Sequence, residues 1–353
     1  MKYERILAYV GETPWAILPS KLDAIVSMLA TRAAGETIDP AEIEAIVGAA
    51  RRDEPRAGAA VAVLPLFGVI SHRAGSLKES SGGTSTERFG ATLRQLVADP
   101  GISAIVLDVD SPGGTVSGVP ELAAELYRAR GRKPIVGVAN SLAASAAYWI
   151  AAQADELVVT PSAMVGSIGV MSAHTDVSKA LEMRGIKTSY ITSARYKVEG
   201  ASDMPLSAEA GGHIQSQVDY YHGLFVRAIA RGRGVTIAEA RGERFGEGRV
   251  YHAAAAVERG MADRIATLDQ VIGELAAGKW ARPMRAIAVS ADEITFGTTG
   301  TFVAVGPPTT WASSSPDPGA EWVKPPEIVE DEPSRSASVE YRRRRLRVLA
   351  ASG

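Results

Sequence analysis

The chain has 353 residues, enough to bury a sizeable core in one large or two modest domains. Hydrophobic residues make up 46% and charged residues 22%, and the formal net charge is -2. No overall electrostatic pull toward nucleic acid follows, and any basic surface has to be local. Cysteine is absent, which excludes disulfide staples, thiolate ligation of zinc and thiolate attack on a carbonyl.

The opening MKYERILAYVGETPW sets charges among its apolar positions and lacks the continuous apolar core of a secretory leader. The longest mostly apolar stretch, Ser141 to Ala152, falls well short of the roughly 20 residues that a membrane-crossing helix requires. A soluble, cytoplasmic chain with no membrane anchor is the expectation.

Residues 1–58 read as a helical N-terminal segment. Apolar residues recur at helical spacing through Leu22, Ile25, Val26 and Leu29, then through Ile43, Ile46 and Val47, until RRDEPRAG breaks the pattern. From Ala59 the texture changes to short β-type runs: VAVLPLFGVI (61–70), SAIVLDVD (103–110), PIVGVA (134–139), ELVVT (156–160) and SIGVMS (167–172). A further strand is expected around Ile186 to Ile191. Runs that are apolar on both faces and alternate with helices indicate an α/β fold with a parallel sheet covered by helices. Residues 59–278 are the expected catalytic domain.

Between the first two runs, SLKESSGGTSTERFG reads as a surface loop able to cover a site. A helix is expected from about Gly118, a long polar-faced one from about Ser207 to Arg233, and a shorter helical pair to about Leu275. Residues 279–353 read as a linker and a largely disordered tail, rich in proline, serine and acids. Near its end stand Arg342, Arg343, Arg344 and Arg345, a run suited to nucleic acid or an acidic protein surface and equally suited to simple solvation.

Two segments carry the signs of chemistry. After SAIVLDVD comes SPGG (111–114), whose two glycines at a strand-to-helix turn let backbone N–H groups face open space, as an oxyanion hole requires. A plain tight turn has the same composition. After PIVGVA comes NSLAASAAYWIA, which sets Ser145 among Ala143, Ala144, Ala146 and Ala147. Another backbone can approach closely there, and a helix N-terminus stabilises developing negative charge. A small-residue helix contact fits the same letters.

A serine nucleophile needs a base. Of His72, His174, His213, His222 and His252, only His174 stands where a Clp-type Ser-His-Asp enzyme would roughly place one. The competing base is Lys197 in ITSARYKVEGASDMPLS, which would have to be neutral near pH 7 through desolvation or a nearby positive charge.

Together DSPGG (110–114), LAASAAYWIA (142–151), GSIGV (166–170) and SARYKVEGA (193–201) resemble the four ordered motifs of the signal peptide peptidase A family of Ser-Lys peptidases. Within it they resemble the phage head proteases of the minor capsid protein C type. The resemblance covers about residues 59–275. It implies a Clp/crotonase-type α/β fold with a mainly parallel sheet, and a serine endopeptidase working without metal or organic cofactor. It further implies Ser145 as nucleophile, Lys197 as base, Ser167 as the group holding the lysine, and Gly113 with the N–H of Ala146 as the oxyanion hole. The interval from Ser145 to Lys197 matches the family's. Ala146 stands where many relatives carry glycine.

PWAILPSKLDAI (14–25) is similar to the N-terminal segment of the phage members, and GEGRVYHAAAAVERGMADRIATLDQVI (246–272) to the family's closing segment. The resemblance thus implies processing of capsid or scaffold proteins during head maturation, in the host cytoplasm or the prohead. It also implies a ring-like homo-oligomer, with the lysine serving its own or a neighbour's serine. Arg342 to Arg345 would then contact capsid, portal or nucleic acid. Two other readings keep the fold: a Clp-like Ser-His peptidase using His174, and a non-catalytic capsid scaffold or interaction protein.

Overall fold

The computed structural model describes residues 10, 13–33, 56–58, 61–73 and 83–280. The second amphipathic helix around Ile43 to Val47, the SLKESSG part of the expected loop, and the tail with its arginine run lie outside the described residues.

In chain order the elements are β1 (Trp15–Ile17), α1 (Pro19–Ala33), β2 (Arg56–Gly58), β3 (Val61–Phe67), β4 (Ile70–Ser71), β5 (Thr84–Ser85), α2 (Thr86–Ala98), β6 (Ala104–Ser111), β7 (Gly113–Thr115), α3 (Val119–Ala129), β8 (Ile135–Ala144), α4 (Ala146–Ala151), β9 (Glu156–Val159), β10 (Met164–Gly166), α5 (Ser178–Met183), α6 (Ala208–Arg233), α7 (Ile237–Arg241), a 3-10 turn (Glu243–Phe245), β11 (Val250–His252), α8 (Ala253–Glu258), β12 (Arg264–Ile265) and α9 (Leu268–Ala276).

The larger sheet runs β11-β10-β8-β6-β3-β2, with β9 joined to β8 and β12 joined to β9. Pairing is parallel for β3–β6, β6–β8, β8–β9, β8–β10 and β9–β12, and antiparallel only at β2–β3 and β10–β11. The fold is therefore α/β with a mainly parallel sheet, as expected. The apolar composition of its strands explains why. Ile105, Leu107 and Val109 of β6 join the cluster formed with Leu93, Leu126, Trp149 and Phe225, whereas Ala104 and Val106 join Val136, Val138, Val158, Val271 and Leu275. Strands buried on both faces cannot alternate with polar residues.

A buried arginine ties helices together behind this sheet. Arg130 donates from Nε to the carbonyl of Gln153 at 2.6 Å and from Nη2 to those of Ala152, Ala154 and Gly232, linking the end of α4 to α6. Arg130→Ala would leave several buried carbonyls without donors. It is expected to cost about 3 kcal/mol, read as a lowered denaturation midpoint at unchanged m-value.

Several sequence expectations are corrected. SIGVMS is not a strand: β10 ends at Gly166, Ser167 turns the chain with φ 56°, and only Met171 keeps a bridge, to Trp15. Ile186 to Ile191 forms no strand either, since among the described residues nothing pairs with it, and Ile191 is fully exposed. The run NSLAASAAYWIA, whose small residues read as the beginning of a helix, instead continues β8 to Ala144 before α4 starts, through a bulge where Val109 faces Ala139 but Asp110 faces Leu142. Gly113 and Gly114 lie in a short strand, β7, rather than in a strand-to-helix turn. The far part of the expected loop is ordered structure: Thr84–Ser85 is β5, and Ser85 caps α2 by accepting the Arg88 N–H. Three short helices, α7, α8 and α9, stand where a pair was expected.

Candidate active site

Ser145 joins β8 to α4, and the chain reverses direction on this single residue, at φ 54° and ψ -118°. A non-glycine residue held in so sparsely populated a region costs about 1–3 kcal/mol, so the surroundings have to over-determine it. They do. The Ser145 N–H donates to the carbonyl of Gly166 at 2.7 Å, and its carbonyl accepts the Trp149 N–H at 2.9 Å. Ala143, Ala144, Ala146 and Ala147 are all fully buried, and no larger side chain would fit this turn without displacing a neighbour. Two aromatics anchor the following helix. Trp149 stacks on Phe225 with ring centroids 4.5 Å apart, and Tyr148 donates its hydroxyl to the carbonyl of Met261 at 2.9 Å, burial pushing its phenol above the usual range.

Gly113 faces this turn from β7. A Cβ on Gly113 would lie 3.0 Å from Ser145 Cβ and 2.2 Å from the carbonyl oxygen of Ala16, and φ there is 100°, so only glycine fits. Its N–H donates to Ser111 Oγ at 3.2 Å, and Ser111 Oγ donates to the carbonyl of Gly68 at 2.6 Å. Ala146 is the first residue of α4, where backbone N–H groups have no intrahelical partner. Ser167 leaves β10 beside Ser145, because Gly166 is in register with Ala144 on the adjacent parallel strand. Gly113, Ser145, Ala146 and Ser167 are thus gathered at the C-terminal ends of neighbouring strands, where sites form in such sheets.

The two candidate bases are not joined to the serine. Ser145 Oγ is buried and hydrogen-bonded to nothing. Lys197 lies exposed in a turn, its N–H donating to the carbonyl of Ala194. Its segment is fastened to α6 through Arg195 and Tyr196, which both reach Glu209. His174 is half-buried, with Nε2 enclosed and unbonded. Sequence reasoning missed the groups that hold the site: Ser111, Gly68 and Gly166, and the pairing of Trp15 with Met171 beside it. Ser111 was legible as a polar residue inside SPGG; the others act through backbone atoms and leave no side-chain signal.

The strained, enclosed serine and its glycine partner are accompanied by a family signature. Residues 128–282 match peptidase family S49. The S49 segment includes Ser145, Ser167 and Lys197, and leaves Gly113 just outside it. The chain is 33% identical over 205 residues to the capsid assembly protease C of Escherichia phage lambda, covering 58% of this chain and 46% of that protein. It is 32% identical over 216 residues to the head-tail preconnector protein GP5 of Enterobacteria phage P21, covering 61% and 42%. The chain therefore spans less than half the length of these relatives. Among solved structures, the ClpP protease catalytic domain from Plasmodium falciparum is similar over 59% of this chain and 85% of that one, with 11% identity and a TM-score of 0.36.

Proposed function

We propose that this chain is a serine endopeptidase that processes capsid or scaffold proteins during phage head maturation, with Ser145 as nucleophile and Lys197 as base. The observation that carries the reading is Ser145 itself: a buried, conformationally strained serine facing Gly113, inside an S49 segment whose relatives include a phage capsid protease. Strain and an unsatisfied hydroxyl are costs without structural return, which is the mark of a residue kept for chemistry. Neutral Lys197 takes the hydroxyl proton as Ser145 attacks the peptide carbonyl. The N–H groups of Gly113 and Ala146 stabilise the oxyanion, and the lysine passes its proton to the leaving amine. Water then cleaves the acyl-enzyme by the same route, and Ser167 holds the lysine.

Lys197 lies exposed to solvent in a single copy. Its arm also displays Met183, Ile186, Ile191 and Tyr196 to solvent, an apolar surface that favours cover by a second copy. We therefore assign the lysine to the serine of a neighbouring copy in a homo-oligomer, where the contact desolvates it. Among the described residues no helix is long and apolar enough to cross a membrane, in keeping with work in the host cytoplasm or prohead.

The test is cleavage of a co-expressed capsid or scaffold protein, read by intact mass. Lys197→Ala is expected to abolish cleavage with its melting temperature unchanged, because the side chain is exposed. Mixing Lys197→Ala with Ser145→Ala protein is expected to restore part of the activity, since each supplies what the other lacks. The enclosed, unbonded Nε2 of His174 supports the Ser-His alternative. Loss of cleavage in His174→Ala with retention in Lys197→Ala would transfer the role of base to the histidine, and a wild type that cuts nothing would favour the scaffold reading.

A further inference from the structure

The short strand β1 lies in a slot one strand wide beside Ser145. On one edge it pairs antiparallel with β7, setting Trp15 opposite Thr115, Ala16 opposite Gly114 and Ile17 opposite Gly113. On the other edge Trp15 exchanges both backbone hydrogen bonds with Met171, at 2.8 and 2.9 Å. The two walls come from segments that also furnish the site: β7 begins at Gly113, and Met171 follows closely after Ser167 in the chain.

The hydrogen-bond phase of this pairing matters. Leu18 N–H donates to Pro112 O, and Val116 N–H donates to Pro14 O, so both are bonded positions. By antiparallel alternation Ala16 and Gly114 form the bonded pair between them, and Ile17 and Gly113 do not. Ile17 therefore makes no claim on the Gly113 N–H, which donates to Ser111 Oγ at 3.2 Å, while Ala16 is bonded on the β7 edge and Trp15 on the Met171 edge. The Ala16 carbonyl oxygen and Ser145 Cβ flank the same point, 2.2 and 3.0 Å from where a Cβ on Gly113 would stand.

We propose that β1 is an internal occupant of the peptide-substrate seat. An extended substrate backbone binds between Gly114 and Met171 in its place, and β1 has to leave before Ser145 can act on another chain. The inference rests on the serine-peptidase reading and adds to it a built-in block. Three observations support it. Ser145 is fully buried, although a nucleophile must meet its substrate. Withdrawal of β1 would expose the edge of β7 on one side and the backbone N–H and carbonyl of Met171 on the other, and an open strand edge is how proteins capture extended peptides. Trp15 and Ile17 pack in a small cluster with Val10, Leu22, Ile25 and Leu29, and of β1 the small side chain of Ala16 is what reaches the main core. Withdrawal of β1 therefore removes one methyl group from that core and leaves the rest of it packed.

The absence of cysteine permits a reversible test in the full-length chain. Pro14→Cys with Val116→Cys places a disulfide across the bonded pair that ends β1, and Trp15→Cys with Thr115→Cys is a second lock should the first fail to fold. Oxidation is verified by intact mass, and hydrolysis of fluorescein-labelled casein is measured before and after dithiothreitol. The oxidised form is expected to cut at least about tenfold more slowly than the same protein reduced. Equal rates, with Ser145→Ala inactive in the same background, overturn the strap and leave the peptidase reading standing. No hydrolysis by wild type or by either form sinks both.

Discussion

Ser145→Ala is expected to lower peptide hydrolysis by about ten-thousand-fold or more, the scale on which removal of a serine nucleophile acts, with residual turnover from binding and oxyanion contacts alone. The same change is expected not to destabilise the protein. The hydroxyl is buried and makes no hydrogen bond, so its removal relieves an unsatisfied polar group worth about 1–3 kcal/mol, while the N–H and carbonyl bonds that fix the turn belong to the backbone. Alanine meets the same φ of 54° with no larger penalty than serine. A melting temperature equal to or above that of wild type, together with lost cleavage, is the expected pair of readings. A marked fall in melting temperature would mean that Ser145 holds the turn, and would remove the ground for calling its strain functional.

Gly113→Ala is expected to damage both stability and activity. The new methyl would stand 2.2 Å from the Ala16 carbonyl oxygen and 3.0 Å from Ser145 Cβ, and both neighbours are held by rigid backbone. A φ of 100° adds its own cost for any side chain. Together these put the loss at about 3 kcal/mol or more by denaturant titration. Cleavage by the fraction that folds should fall by at least about a hundredfold, because the displaced N–H no longer meets the oxyanion. Ser111→Ala separates the two effects. It removes the hydroxyl that accepts the Gly113 N–H but inserts nothing, so a mild stability loss is expected. Unchanged cleavage in a folded Gly113→Ala protein would remove that N–H from the mechanism.

The chain order of strands and helices was largely legible in the sequence. β6, β8 and β9 announce themselves because both faces are buried and the apolar run is continuous, and α6 begins and ends where Ser207 caps it and Gly234 turns the chain. The failures share a cause. SIGVMS and the stretch from Ile186 to Ile191 have the composition of strands, but a strand exists only where another edge accepts its hydrogen bonds. The first has only Met171 paired, and the second has nothing to pair with among the described residues. The β7 glycines read as a turn because their strand partner, β1, lies almost a hundred residues earlier in the chain.

The candidate site divides in the same way. Small neighbours made Ser145 and the SPGG glycines candidates without excluding a plain turn or helix contact, and it was the resemblance to the Ser-Lys peptidases that joined Ser145, Gly113 and Ser167 into one expected site. The geometry that unites them comes from parallel register: Gly166 beside Ala144, and β7 against the turn. Only the tertiary structure decided that Lys197 stands in solvent, away from the serine it was paired with, and that the N-terminal segment runs beside the nucleophile as a strand. Local sequence sets what a residue can do and which conformations it prefers. Which groups meet depends on pairings between distant segments, and these are fixed by hydrogen-bond edges and buried faces that no single stretch of sequence contains.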